Sequence, residues 1–294
     1  MKSLSIVIIG YNTAECLKKL LLSIQEAVLP HDIAVELIYV DDSSSDNSLN
    51  LFDSFKIDLI KKSFRFSQNK GRVHATNKGI SLASLDWILF LQSNITVNKN
   101  IVLEYQKTVE KTDCIAVGGK ILYESEDAVF QKYLNNPMRG SNQYRQYQNL
   151  QYEHLLFGNC VIKRSVFESI PLNLKLVKYG GEELDFAYRL HINHYKKMIY
   201  CNSAIVTRKD HPGLIKHLSR LEEFGRSNLT LLEDSLQRRV LKKNFFTLIF
   251  IYNNGINLFT NRLGIFFYKN IAGYFFIIKI ILLTSIIKGM HQKN

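Results

Sequence analysis

The sequence predicts an α/β fold of the dinucleotide-fold kind, with helices covering both faces of a largely parallel sheet. Three observations predict it. Up to about residue 120, short β-branched runs alternate with helical stretches, as crossover connections between parallel strands require. Polar clusters follow directly after three of those runs, where an open sheet offers loops to a ligand without disturbing its core. A chain of 294 residues, 46% apolar and 22% charged, can bury one large core or one domain with an appendage.

The first strand is expected at residues 4–9, which lack the basic region, long apolar stretch and cleavage site of a secretory leader. A helix follows at 14–26 with Thr13 as its cap. Further strands are expected at 35–40, 57–61, 87–91 and 114–118, with helices at 45–55, 73–83 and 100–111 between them. Residues 121–153 are polar and aromatic without a clear period and read as an irregular excursion over the sheet. A strand at 155–163, a helix at 182–192 and a strand at 198–201 complete the body. A helical, mixed-charge stretch at 214–232 leads into the tail.

The net charge of +12 is unevenly placed, because no Asp or Glu follows Asp234 whereas nine Lys or Arg do. This divides the chain into a body, 1–230, and a basic, apolar, helical extension, 231–294. The extension carries apolar runs at 245–252 and 271–287; the second is at the short edge of what spans a bilayer and contains Lys279. A near-neutral body with a basic, aromatic tail points to an anionic membrane surface and away from nucleic acid. A re-entrant span, or packing of the tail on the body or a partner, are the alternatives. Cys16, Cys114, Cys160 and Cys201 are widely spaced, which suits a reducing cytoplasm and no zinc or disulfide framework.

The chemistry is expected in the polar clusters. Gly10-Tyr11-Asn12 follows the first strand, and Asp41-Asp42-Ser43-Ser44-Ser45-Asp46 the second. Two adjacent carboxylates repel each other unless donors serve them. Asn69-Lys70-Gly71-Arg72 opens a helix; Gly71 permits close backbone approach, and Arg72 offers a planar fork of donors suited to a diphosphate. Tyr179-Gly180-Gly181-Glu182-Glu183-Leu184-Asp185 sets acidic residues at a helix N-terminus, where the dipole stabilises them.

In order and spacing, these segments over residues 3–225 resemble the family 2 glycosyltransferases, which include bacterial polysaccharide and lipopolysaccharide enzymes. The resemblance implies a GT-A fold with a mixed central sheet, here followed by a membrane-associating helical extension. It implies a nucleotide-diphosphate sugar donor and inversion at the anomeric carbon. Tyr11 and Asn12 would receive the base, Asp41 or Asp42 would accept from its imide, and Arg72 would face the diphosphate. Glu183 stands where the family carries its catalytic base, with Asp185 as the fallback, and Glu182 would contact acceptor hydroxyls or orient the loop. His211, in Arg208-Lys209-Asp210-His211-Pro212-Gly213, is similar to a histidine that reaches the metal or diphosphate.

The pattern breaks after the fourth strand. The family there carries Asp-x-Asp, whose carboxylates hold Mg or Mn; this chain has Gln92-Ser93-Asn94. Neutral amides are poor ligands for a hard dication, so the cofactor is left open: Arg72 or Lys70 replaces the ion, or Asn94 holds a metal weakly, or transfer is lost. The expected function is an inverting glycosyltransferase on the inner face of the cell membrane, moving a sugar to a saccharide or lipid-linked acceptor in cell-surface polysaccharide synthesis. The rival is a non-catalytic GT-A-fold binding or scaffolding protein.

Overall fold

The computed structural model describes residues 1–242, 244–270 and 275–292. β1 (Ser3–Gly10), β2 (Ala34–Asp41), β3 (Ile60–Arg65) and β4 (Trp87–Gln92) pair in parallel in the order β3-β2-β1-β4. The crossovers α1 (Ala14–Gln25), α2 (Ser48–Ser54) and α3 (Arg72–Leu82) connect them. The sheet continues through β5 (Ile95–Val97), β6 (Ala116–Tyr123), β7 (Asn159–Lys163) and β8 (Met198–Arg208) in the order β4-β7-β6-β8-β5. β7 runs antiparallel to both β4 and β6, so the eight-stranded sheet is mixed. α4 (Ile101–Lys111), α5 (Ala128–Leu134), α6 (Val166–Ser169) and α7 (Glu182–Asn193) complete the body.

The period of two along each strand divides the core between the two faces. Leu4, Ile6 and Ile8 of β1 pack with Leu17, Leu20, Leu21 and Ile24 of α1, all four at helical spacing and buried. Val7 faces the other way, in a cluster with Val40, Phe90, Val73 and Phe186. Burying each such side chain contributes roughly 1.5–3 kcal/mol.

Several boundaries differ from expectation for local reasons. β3 lies three residues later than predicted; as the outer strand it leaves Ile60 69% exposed, which blurs the alternation. Residues 155–158 turn before β7 begins, so only the second half of the strand expected at 155–163 forms. β8 continues past Cys201 to Arg208 through an irregularity opposite Gly119 and Lys120, where the polar pair Asn202-Ser203 hides its continuation. The excursion at 121–153 contains the end of β6 and α5, whose N-terminus is capped by the Asp127 carboxylate accepting from Phe130 N at 3.0 Å. Thr13 stands at the cap of α1 without a capping bond from its side chain; Ala14 N donates to Asp46 Oδ2 at 2.9 Å.

The tail folds back on the body. α8 (Leu214–Arg226), α9 (Asp234–Val240), α10 (Phe245–Tyr252), α11 (Asn254–Asn270) and α12 (Phe275–His291) follow β8. The first four residues of the apolar run expected at 271–287 lie outside the described residues. α12 packs on α8, closely enough that a Cβ on Gly225 would lie 2.0 Å from the Ile286 carbonyl oxygen, and one on Gly289 2.0 Å from that of Glu222. Lys288 pairs with Glu222 at 2.8 Å. Between α11 and α12, Asn261 Nδ2 donates to Thr284 Oγ1 and Ser285 Oγ, each at 2.9 Å, in a buried polar seam. Leu232, Leu236, Leu241 and Ile287 share the apolar cluster of the sheet. No helix among the described residues is long and apolar enough to cross a membrane.

Candidate active site

The C-terminal ends of β1, β2 and β4 open onto a cleft of about 440 Å³. Gly10 ends β1 because a Cβ there would lie 2.4 Å from the Tyr39 hydroxyl. Tyr11 then stands half exposed on the rim. Asn12 adopts a left-handed φ of 52°, and its Oδ1 accepts from Ser45 N at 2.8 Å, tying the loop after β1 to the loop after β2. Asn12 is not among the residues lining the cleft.

The two adjacent aspartates have separate partners. Asp41 is fully buried; its carboxylate accepts from the Ser44 amide and hydroxyl and lies 3.3 Å from Arg65 Nε. It lines neither this cleft nor the inner cavity, and its carboxylate is engaged within its own loop. Asp42 does line the cleft, with Oδ1 accepting from Lys70 N at 2.7 Å and Oδ2 from Gly71 N at 2.9 Å. Burial pushes its pKa up against these two bonds. The bonds seat Gly71, at φ 88°, where a Cβ would lie 2.6 Å from the Val177 carbonyl oxygen.

Gly71 delivers Arg72 to the first turn of α3, and Gly180 and Gly181, at φ 81° and 93°, deliver Glu182 and Glu183 to the first turn of α7. The Arg72 guanidinium pairs with the buried Glu182 and lies 3.4 Å from Glu183 Oε1. Burial would favour loss of the Arg72 proton, but the two glutamates raise its pKa further above the ordinary value. Arg72, expected to face the diphosphate, does face the cleft, where it holds two carboxylates. Lys70, the other expected cation, is exposed and not among the lining residues.

Glu183 borders a smaller inner cavity of about 200 Å³, which shares Arg72, Gln92, Tyr179 and Arg208 with the open cleft. Burial raises the Glu183 pKa; Glu182 adds to the rise, while Arg72 and Arg208 oppose it. Asp185, the fallback base, lines neither space, and its Oδ2 accepts from Arg189 Nε and Nη2 at 3.0 and 2.7 Å. The helical period turns it away from Glu183 into an ion pair one turn on. Gln92 borders both spaces and Asn94 the open cleft.

His211 is buried beside the inner cavity, with its Nδ1 2.9 Å from the Pro212 carbonyl oxygen and its ring against Tyr123 and Phe130. Burial first, then Arg208, depresses its pKa to about 4. Sequence reading missed Arg220 and His217 and gave no role to Arg208 and Tyr179 within the motifs it singled out; all four are lining residues. Arg208 was within view, three positions before His211 in the quoted segment, but past the expected end of the last strand.

A hard dication needs several oxygen ligands, preferably carboxylates. The triplet after β4 supplies two amides and a hydroxyl, Arg72 and Arg208 border the same space, and no group of three or more His, Cys, Asp or Glu suited to a metal occurs among the described residues. This donor set does not fit Mg or Mn.

A family profile described as Glycosyl transferase family 2 matches residues 5–170, more than half of the chain. The chain belongs to glycosyl transferase family 2. This family 2 chain is 31% identical over 134 residues to Glycosyltransferase GlyG of Streptococcus pneumoniae serotype 4, covering 45% of its own length and 43% of that relative. It thus matches under half the length of that protein. Among solved structures, S. aureus TarS 1–349 in complex with UDP superposes with a TM-score of 0.61 at 14% identity, covering 99% of this chain and 91% of that one. Mannosyltransferase PcManGT from Pyrobaculum calidifontis, in complex with GDP-Man and Mn2+, gives 0.58 at 15% identity, covering 78% and 63%. At these identities the two structures establish the GT-A fold of this family 2 chain.

Proposed function

We propose that this chain transfers a sugar from a nucleoside-diphosphate donor to a hydroxyl of a saccharide or lipid-linked acceptor, inverting the anomeric carbon, in cell-surface polysaccharide synthesis. The observation that carries the reading is Glu183, a carboxylate with a raised pKa in a cavity continuous with the open cleft. The donor lies in the cleft, with its base near Tyr11 and Asp42 and its anomeric carbon towards Gln92 and Glu183. The acceptor oxygen attacks that carbon as its proton passes to Glu183. The bond from the carbon to the β-phosphate oxygen breaks, and its electron pair leaves with the nucleoside diphosphate. Glu182, fixed by Arg72, keeps the first turn of α7 in place. UDP on the staphylococcal neighbour and GDP-Man on the archaeal one support a nucleotide donor.

Residues 1–230 hold the transfer site, and 231–294 bring it to the inner face of an anionic membrane. On α11, Ile256, Phe259, Leu263 and Phe266 form one exposed stripe at helical spacing, while Asn257 and Asn261 are buried on the other side. Arg262, Lys269 and Lys279 are exposed on α11 and α12, and no acidic residue follows Asp234. An aromatic stripe flanked only by cations suits an anionic lipid surface.

The test is release of UDP, GDP or dTDP from a panel of their sugars by the full chain, with saccharide or lipid-linked acceptors. Turnover that vanishes in Glu183→Gln supports the reading. An intact Glu183→Gln rate, or no binding of any donor, rejects it. Flotation with phosphatidylglycerol vesicles but not phosphatidylcholine vesicles, lost in Phe259→Asp, tests the surface.

A further inference from the structure

We propose that Arg208, seconded by Arg220, takes the place of the divalent cation and carries the charge of the leaving diphosphate, so that this chain binds nucleoside diphosphates without metal. The inference rests on the donor assignment above and concerns how the same cleft handles phosphate.

Arg208 closes β8 at the point where a metal-binding triplet would matter. It pairs with Ile95 of β5 across the sheet, and the amide of the next residue, Lys209, donates to the Asn94 carbonyl oxygen at 3.0 Å. Its side chain therefore starts beside Gln92-Ser93-Asn94, and it borders both the open cleft and the inner cavity. Arg220 reaches the same cleft from α8, its guanidinium carbon 5.5 Å from the centre of the Tyr179 ring.

These two arginines differ from Arg72 in having no carboxylate. Among the described residues neither Arg208 nor Arg220 forms an ion pair, and Arg208 Nε is buried with no hydrogen-bond partner. A buried guanidinium with an unmet donor is costly unless an anion completes it. The neighbouring carboxylates do not do so: Asp42 is taken by Lys70 N and Gly71 N, Glu182 and Glu183 share Arg72, and Glu223 is exposed on the rim. Around Arg208 stand the cations Arg72 and Arg220, the rings of Tyr123 and Tyr179, and Glu183, which feels its charge but forms no ion pair with it. An incoming anion is the missing partner.

The amide triplet then has a reason. Two carboxylates after β4 would lie beside Arg208 and neutralise it, recreating a metal site at the expense of the arginine. Gln92 and Asn94 leave its charge available and can still donate to phosphate oxygens. A guanidinium fork suits a diphosphate by bidentate hydrogen bonding, and its charge stabilises the electron pair that departs with the β-phosphate oxygen.

The experiment is calorimetric titration of the full chain with UDP, GDP, dTDP, pyrophosphate and the parent nucleosides, in chelator and again in manganese. At least one nucleoside diphosphate is expected to bind in chelator, with manganese changing its Kd by less than about threefold. Arg208→Gln should weaken that diphosphate by roughly 30-fold or more while leaving the nucleoside within about twofold, and Arg208→Lys should recover part of the loss. Arg220→Gln should weaken it by about three- to tenfold. Thermal melting of each variant separates loss of the site from loss of the fold, and Arg220→Gln, at a half-buried position on α8, keeps the test open if Arg208→Gln does not fold. Binding that appears only with manganese, or that is indifferent to both arginines, overturns the inference and leaves the donor reading standing. Absence of binding by every nucleoside diphosphate under both conditions overturns the donor reading as well.

Discussion

The Arg72 guanidinium joins the first turn of α3 to the first turn of α7 by pairing with Glu182, and it also lies 3.4 Å from Glu183 Oε1. One cation thus holds two carboxylates, one buried and one half-buried, at a distance in sequence that only the fold closes. Arg72→Met should cost about 2–4 kcal/mol, because both carboxylates lose their partner, and thermal melting reads the loss. Arg72 is also the strongest influence holding the Glu183 pKa down against burial. Its removal should move the acid limb of the kcat/KM profile to higher pH.

Glu183 and Asp185 should behave oppositely when neutralised. Glu183→Gln removes the proton acceptor and should lower kcat by about 10²–10⁴-fold with little change in donor binding. In the unaltered protein, activity should fall on the acid side as pH drops through the Glu183 pKa, which lies above the ordinary value of 4.5 because of burial. Asp185→Asn breaks the pair with Arg189 and should lower stability by about 1–3 kcal/mol while the folded enzyme keeps kcat within a few-fold. Steady-state kinetics beside urea unfolding separates the two.

Acid should unfold the chain in two stages. Burial holds His217 at about 3 and His211 at about 4, both neutral in the fold, whereas the unfolded chain takes up these protons near 6.5. The unfolded state then binds more protons, so stability falls as pH drops from about 6.5 towards 4. Glu36 sits at about 2: burial works against its charge, but Lys62, Ser5 and Ser84 outweigh it with hydrogen bonds. Its contribution is present above 4.5 and is lost as pH falls towards 2. His217→Leu should flatten the upper stage by on the order of 1–2 kcal/mol, and Glu36→Gln the lower one while costing stability at neutral pH. Urea midpoints across pH measure both.

The crossing of α8 and α12 depends on two hydrogen atoms where any side chain would collide. Gly225→Ala or Gly289→Ala should separate the helices and cost about 1–3 kcal/mol. Limited proteolysis should then release α12. Gly255→Ala, where a Cβ on α11 would meet only Asn253 Oδ1 at 3.4 Å, should be neutral or slightly stabilising.

The parallel half of the sheet was legible because buried parallel strands announce themselves: β1, β2 and β4 fall within a residue or two of expectation. The three-residue β5 was not, since three residues carry no period. The site was legible where a motif fixes backbone, as at Gly71-Arg72 and Gly181-Glu182-Glu183, each glycine at a positive φ just before a helix. What the motifs could not reveal is which charge is already spent. Asp41, Asp185 and Arg72 look available in sequence and are engaged in the fold, whereas Arg208 looked like a linker residue and keeps a buried N–H without a partner.

α8 belongs to two structures at once. Arg220 and Glu223 border the open cleft, and on another side of the same turns Glu222 and Gly225 bear on α12. With no Cβ to cushion that crossing, α12 cannot shift without carrying α8 along. The wall of the cleft and the seat of the tail are therefore one helix, α8.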